Sequence, residues 1–452
     1  MGPGILSGAL AAFRGRPDET AVTDDSRAQS WAEFEAELRD IAGDLEDEAD
    51  RGPVFVRGPS NASFLASFLA APMAGRPGCT LHSDWAAPEL EAAVEDAGGF
   101  EPRPADETDP VFYVGFTSGT SGRPKPFARR WESWSSSFGP AGELFSVHSG
   151  DRVFLPGSLQ HSHFLFGAVF ALNRGAGVRL FERFDAETLA EELARVRRGV
   201  LYLVPTMLLA LDELRPAPMT GVHSLVVSGA KMEAHHWEIA RRVFPRATVG
   251  ELYGASELSF VTVNTEGERP SDPGYVGRPF PGVEIEIRRP TDAAPDEPGP
   301  VYVRSPYLFD GYLEGNRSVS PAGEDGFMTV GDVGLLTEEG LTLVGRASNM
   351  LITGGKNVHP EEVEGRLSDH PGVAECVVGG APHPRWGEQL VGFVVAADGG
   401  APDADSLRGH LRGRVAPYKI PKRWFLVDSI PRTAANKTDR DLDRLFEAAT
   451  EL

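Results

Sequence analysis

Short apolar runs such as "VFYVGF" (111–116), "GVLYLVP" (199–205) and "SLVVSG" (224–229) alternate with longer stretches such as "AETLAEELARVRR" and "EAHHWEIARRVF". In the longer stretches the apolar residues return every three or four positions, the period of a helix with one buried face. Runs that are apolar on both faces suit strands covered by helices on either side. The alternation therefore predicts an α/β fold with αβα sheet subdomains. Between Gly274 and about Gly345 the texture changes to short strands, "VEIEIRR", "PVYVRSP" and "GLLTEEGLTLVGR", separated by Gly/Pro turns, which predicts a small antiparallel β subdomain. After Arg346 come a helix in "HPEEVEGRLSDH", strands in "AECVVGG" and "QLVGFVVA", a helix in "ADSLRGHLRGRV" and a strand near "RWFLVDS", a small α+β pattern. The expected domains are 1–346 and 347–452, with the β subdomain at about 274–345.

Charge and cysteine content narrow the partners. With 44 basic and 66 acidic residues the net charge is -22, which disfavours nonspecific attraction to nucleic acid or to an anionic membrane. An anionic ligand must then meet a local basic pocket. Cys79 and Cys376 lie far apart with no CxxC spacing, so neither a disulfide framework nor a zinc site is indicated. The start, "MGPGILSGALAAFRG", has no basic first segment or apolar stretch of an export signal, and "FLFGAVFAL" is about half of the roughly 20 residues that span a bilayer. A soluble cytoplasmic protein is expected, with "FLFGAVFAL" in its core. The acidic "EDEADRG" (46–52) reads as a solvated helix end and "PTDAAPDEPGP" as a surface turn.

Lysine occurs only at Lys125, Lys231, Lys356, Lys419, Lys422 and Lys437. Lys125 closes "TSGTSGRPK", which follows the apolar run at 111–116. A strand followed by a Gly/Ser/Thr loop can aim several N–H groups and hydroxyls at one point, a cradle for phosphate that a lysine completes. The spacing is not that of a Walker loop, because Arg123 and Pro124 separate Gly122 from Lys125. By itself the stretch also fits an ordinary strand-to-helix turn.

Further motifs follow in a particular order: "SLQHSHF" (158–164), "YLVPTMLLAL" (202–211), "SGAKM" (228–232), "LYGASE" (252–257), "TVGDVGLL" (329–336), "GRASNMLITGGKNVHPEEVE" (345–364) and "PRTAANK" (431–437). In this order and spacing the chain resembles the adenylate-forming enzymes, the superfamily of acyl-CoA synthetases, adenylation domains and luciferases, and among them the AMP-forming acyl-CoA ligases. The resemblance runs over nearly the whole length, from "RPDETAV" onward.

The resemblance implies a two-step reaction. A carboxylic acid and MgATP give an acyl-adenylate and pyrophosphate, and a mobile C-terminal domain then swings to let coenzyme A take the acyl group. It implies that Thr117, Ser118, Gly119, Thr120, Ser121, Gly122 and Lys125 cradle the β- and γ-phosphates, and that Glu257 with Thr120 serves Mg2+. Tyr253 would stack on adenine, with Gly254, Ala255 and Ser256 beside it and Gly229 and Ala230 along the other side of the base. Asp332 and Arg346 would hold the ribose. Lys437 would bridge the carboxylate and the α-phosphate, and Gly354, Gly355 and Lys356 would wall the pantetheine tunnel.

Of the two histidines in "HSH", His161, followed by serine, matches the family's register near the reacting carboxylate better than His163. As a pair they lack the third and fourth ligands a metal needs. Val204, Ser228, Lys231, Gly250 and Leu252 join His161 as the expected acid pocket. Leu252 stands where relatives often have glycine, which favours a small or aromatic acid over a long fatty chain. Lys231 and Glu251 would suit a polar acid if they face it, and solvent if they do not.

Three departures stand out. Asn436 replaces the usual glycine before Lys437, Ser348 and Asn349 stand where relatives carry acidic or lysine hinge residues, and the segment before "VFYVGF" is short. The acceptor can also be an acyl or peptidyl carrier protein or another nucleophile, or the chain can be a catalytically weakened binding protein. A monomer or homodimer without nucleic acid or membrane partners is expected.

Overall fold

A computed structural model of the chain describes residues 5–100, 110–118, 124–265, 274–291, 294, 296–353, 356–383, 387–397, 400–432 and 438–452. Contacts divide the chain into two units, one of 1–268, 277–284 and 303–328, the other of 269–276, 285–302 and 329–452.

In the first unit, strands Arg152–Leu155, Gly177–Leu180, Gly199–Leu203, Val222–Val227 and Thr248–Ala255 pair in parallel, in the spatial order second, first, third, fourth, fifth. Helices Ser162–Asn173, Ala186–Arg195, Pro205–Glu213 and Ala234–Val243 connect them. These strands read as continuous apolar runs because both faces are covered, and every residue of Gly199–Leu203 is buried. The helix Ala186–Arg195 begins where Asp185 accepts from the Thr188 N–H at 2.7 Å, and it turns Leu189 and Leu193 into the core. "FLFGAVFAL" forms most of Ser162–Asn173, with Phe164 to Leu172 buried. Its length suits a core helix, as the sequence predicts.

A second sheet in this unit has Val54–Val56, Gly78–Thr80 and Val111–Ser118 in parallel, extended antiparallel by Pro124–Arg130, Gly311–Glu314 and Arg317–Val319. The strands of 274–345 are thus shared between sheets, since Tyr312 pairs with Phe127. The acidic 46–52 stretch is solvated but not idle: Glu48 and Asp50 reach the buried Arg76 at 2.5 and 3.2 Å.

In the second unit, Asp332–Thr337 pairs antiparallel with Gly340–Arg346 and, at Gly299 and Pro300, with Gly299–Arg304. A further sheet is built on the hairpin Val373–His383 and Gly387–Ala396, flanked by Arg423–Leu426 and by Leu351–Thr353. Helices Pro360–Leu367 and Ala404–Leu411 cover it through Val363, Leu367, Leu407 and Leu411, packed with Trp424. No helix among the described residues is long and apolar enough to cross a membrane.

Candidate active site

The parallel strands of the first unit end where the motifs begin. Arg152–Leu155 leads to His161, Gly199–Leu203 to Val204, and Val222–Val227 to Ser228, Gly229 and Ala230, while Thr248–Ala255 carries Gly250, Leu252, Tyr253, Gly254 and Ala255 into Ser256 and Glu257. The order of the strands reverses between the first and third, and an open α/β sheet binds ligands outside its carboxyl ends at such a switch point. His161 and Val204 follow the two strands that flank it.

Close approaches fix these ends relative to one another. Gly229 adopts φ 89°, and a Cβ there would lie 3.1 Å from Cγ1 of Val204. The Ser228 hydroxyl donates to the Leu252 carbonyl at 3.2 Å. A Cβ on Gly254 would sit 1.9 Å from the Ser259 carbonyl oxygen, so only glycine fits the bend between Tyr253 and Glu257. Gly250 packs closely on the Phe145 ring, 2.4 Å from the place of its missing Cβ, and Leu252 is buried.

In the second sheet, Thr117 pairs with Lys125 and Ser118 with Pro124; Gly119, Thr120, Ser121 and Gly122 lie outside the described residues. The Lys125 ammonium stands 3.7 Å from the centroid of the Tyr312 ring, and the Tyr312 hydroxyl donates to Oε1 of Glu257 at 2.9 Å. The Phe309 N–H donates to the Glu257 carbonyl at 2.9 Å. Arg129, 1% exposed, donates to the Ser256 carbonyl from Nη2 at 2.7 Å and Nε at 3.2 Å, and to the Tyr307 carbonyl from Nη1 at 3.0 Å. Burial pulls its guanidinium down to about 10, against the opposing pull of Tyr113 and Glu257.

Neither Tyr312 nor Arg129 stands out in the sequence. A signal for Arg129 was present, because it alternates with Lys125 and Phe127 and so shares a strand face with both. For Tyr312 only the cross-strand partner reveals the role.

The two histidines differ in setting. His161 precedes the helix and is exposed; its ring lies 4.9 Å from that of His82, which stacks on Trp85 at 4.8 Å. Burial, and then the neighbouring His161, hold His82 down to about 4. His163 lies in the first turn, 5.2 Å from the Tyr202 ring, and burial pushes it to about 4 despite the Leu203 and Val226 carbonyls beside it. Its Nε2 is sealed from solvent without a partner among the described residues. No group of three His, Cys, Asp or Glu among the described residues could hold a metal.

Lys231 and Glu251 face each other. The ammonium lies 2.7 and 2.8 Å from the carboxylate oxygens, which also accept from the Met232 N–H at 2.6 Å and the Asn264 amide at 2.9 Å. Glu251 is 2% exposed, so four hydrogen bonds from three donor groups balance a carboxylate that could not stand alone.

In the second unit, the buried Asp332 accepts from Nε of Arg346 at 3.0 Å. Asn349 donates to Glu361 at 2.5 Å, tying the segment after Arg346 to the helix Pro360–Leu367. The Lys356 ammonium lies 4.4 Å from the centroid of the Tyr418 ring. Gly354, Gly355 and Lys437 lie outside the described residues.

The donor set around Tyr312 suits a metal-bound phosphate. Glu257 offers hard carboxylate oxygens and Lys125 a compact cation, and Mg2+ is commonly held by one or two carboxylates together with substrate phosphates.

Comparison with known proteins identifies the family. The model of the AMP-binding enzyme family matches residues 99–313, and that of the AMP-binding enzyme C-terminal domain matches residues 362–437. An uncharacterised acyl–CoA ligase of Bacillus subtilis is 38% identical over 343 residues, 75% of this chain and 69% of the relative. A 2-succinylbenzoate–CoA ligase of Bacillus velezensis is 31% identical over 354 residues, 77% of this chain and 72% of the relative. The structure of ATP-bound MatB from Rhodopseudomonas palustris has the same fold, with a TM-score of 0.84 at 23% identity over 98% of both chains. The chain belongs to the AMP-binding family of adenylate-forming enzymes, with acyl-CoA ligases among its relatives.

Proposed function

We propose that this enzyme activates a carboxylic acid with MgATP as an acyl-adenylate, releases pyrophosphate, and transfers the acyl group to coenzyme A. The observation that carries the reading is the joint placement of Lys125 and Glu257 on Tyr312, a cation and a carboxylate brought together where the strand that follows the Gly/Ser/Thr stretch begins. Attack of a carboxylate on the α-phosphorus needs positioning and charge stabilisation more than covalent help from the protein. Lys125 and the loop Thr117–Gly122 would hold the β- and γ-phosphates. Mg2+, held by Glu257 with Thr120, supplies charge neutralisation at those oxygens when bound.

Tyr253 offers a ring to adenine, Gly229 and Ala230 a backbone wall, and Asp332 with Arg346 hydrogen bonds to the ribose. Lys437 brings an ammonium to the charge that develops as the carboxylate attacks, so it acts on the transition state more than on bound ATP. His161 would serve the carboxylate, and Gly354, Gly355 and Lys356 would serve the thiol.

The domain boundary in this reading is near Arg346, with Ser348 and Asn349 as the pivot. Buried Leu252, tight Gly250 and the Val204–Gly229 approach favour a small or aromatic acid. Because Lys231 and Glu251 answer each other's charge, the pair gives no independent support for a charged substrate. Action in the cytoplasm as a monomer or homodimer completes the proposal. Detection by mass of an acyl-CoA thioester, formed from one acid, ATP and free coenzyme A, tests it; accumulation of acyl-adenylate unaffected by coenzyme A would assign a different acceptor.

A further inference from the structure

We propose that Tyr312 is a positioning residue that couples the phosphate-binding lysine to the metal-binding glutamate, its ring serving Lys125 and its hydroxyl serving Glu257. The inference rests on the roles of Lys125 and Glu257 proposed above. The strand register creates the arrangement: Tyr312 lies directly opposite Phe127, and Lys125 precedes Phe127 by two residues on the same face of its strand. The ring therefore comes under the ammonium, 3.7 Å from centroid to Nζ. The hydroxyl reaches past it to Oε1 of Glu257 at 2.9 Å.

Phe309 steadies both this tyrosine and Glu257. Phe309 meets the Tyr312 ring edge to face at 4.9 Å between centroids, and the Phe309 N–H holds the Glu257 backbone carbonyl at 2.9 Å. Glu257 is thus fixed by its main chain and by one oxygen of its side chain. A carboxylate steadied at Oε1 meets a metal with less loss of rotamer freedom than one that swings in solvent. The ring does the same for the flexible lysine, whose ammonium is attracted to the face of an aromatic quadrupole. One side chain thereby sets the distance between the charges that receive opposite ends of a metal–phosphate pair.

The two halves of the role can be separated. Tyr312→Phe keeps the ring beneath Lys125 and removes the hydroxyl from Glu257, whereas Tyr312→Leu removes both. Calorimetric titration of ATP without a divalent ion reads the lysine half, and Mn2+ binding to the ATP-saturated protein, followed by electron paramagnetic resonance, reads the glutamate half. For Tyr312→Phe the account predicts metal-free ATP affinity within about twofold of wild type and Mn2+ affinity weakened roughly 10- to 100-fold, the loss of one charged hydrogen bond. For Tyr312→Leu it predicts the same metal loss and a further roughly 3- to 10-fold loss of metal-free ATP affinity.

Unchanged Mn2+ and ATP affinities in both folded variants, with only a lower melting temperature, would overturn the proposal and leave Tyr312 a packing residue. Lys125→Ala and Glu257→Gln serve as controls. If those variants bind ATP and Mn2+ as wild type does, the underlying site assignment fails and the proposal falls with it; if they are impaired while the Tyr312 variants are not, only the coupling role fails.

Discussion

Arg346 and Asp332 face each other across the antiparallel pair Asp332–Thr337 and Gly340–Arg346, the guanidinium Nε donating to the carboxylate at 3.0 Å. The strand register pairs the two residues directly, so each orients the other. A buried carboxylate oriented in this way suits a pair of vicinal hydroxyls, because it can accept from both. Asp332→Ala should raise the KM for ATP roughly 10- to 100-fold, the span of a lost hydrogen bond to a charged group, while kcat changes less. An unchanged KM would remove Asp332 from the ribose.

Lys437 is predicted to act on the transition state. Lys437→Ala should slow pyrophosphate release about 10²- to 10³-fold, as loss of one stabilising charge or donor does elsewhere, and should leave equilibrium binding of ATP unaltered. Rapid-quench measurement of pyrophosphate beside a calorimetric titration checks both halves. A wild-type rate would exclude the residue from adenylation.

Arg129 anchors the backbone that carries Glu257. Arg129→Met keeps most of the volume but deprives the carbonyls of Ser256 and Tyr307 of their guanidinium donors. At about 1–3 kcal/mol for each unsatisfied buried acceptor, the expected loss is about 2–6 kcal/mol, seen as a fall in the thermal midpoint of the first unit. An unchanged midpoint would show that the guanidinium is dispensable for the fold.

His163 gives the fold an acid limit. Its value in the folded protein is lowered to about 4 by burial, against about 6.5 in an unfolded chain. Between these two values the unfolded state binds more protons, so stability rises with pH across this window and is lost as pH falls from about 6.5 towards 4. His82, lowered to about 4 chiefly by burial, adds a slope of the same sign. His163→Phe should flatten part of the decline in a series of melts from pH 7 to pH 4.5. A variant curve parallel to that of wild type would show that His163 does not titrate differently on folding.

Much of the candidate site's placement was legible because its residues follow strand ends. Runs such as "GVLYLVP" and "SLVVSG" announce buried parallel strands, and the residues just past them, Val204 and Ser228 to Ala230, are placed by the sheet alone. Pairing across strands was not legible. The strands read between 274 and 345 do not include "DGYLEG", and nothing local says that Tyr312 lies opposite Phe127 and beneath Lys125. Lys231 and Glu251 illustrate the same limit. They are 20 residues apart, each reads as a free charge, and only parallel pairing of Val222–Val227 with Thr248–Ala255 brings them together. The two histidines of "HSH" stand two residues apart, yet the helix begins between them, at Ser162, and sends them into different surroundings.

The most direct test of the central claim is pyrophosphate release from MgATP across aliphatic, aromatic and amino acids, each with and without coenzyme A. The account predicts release with one class of small or aromatic acid, accompanied by AMP and accelerated by coenzyme A. Release that coenzyme A does not accelerate would contradict transfer to this thiol, and the absence of release with every acid class would contradict adenylation itself.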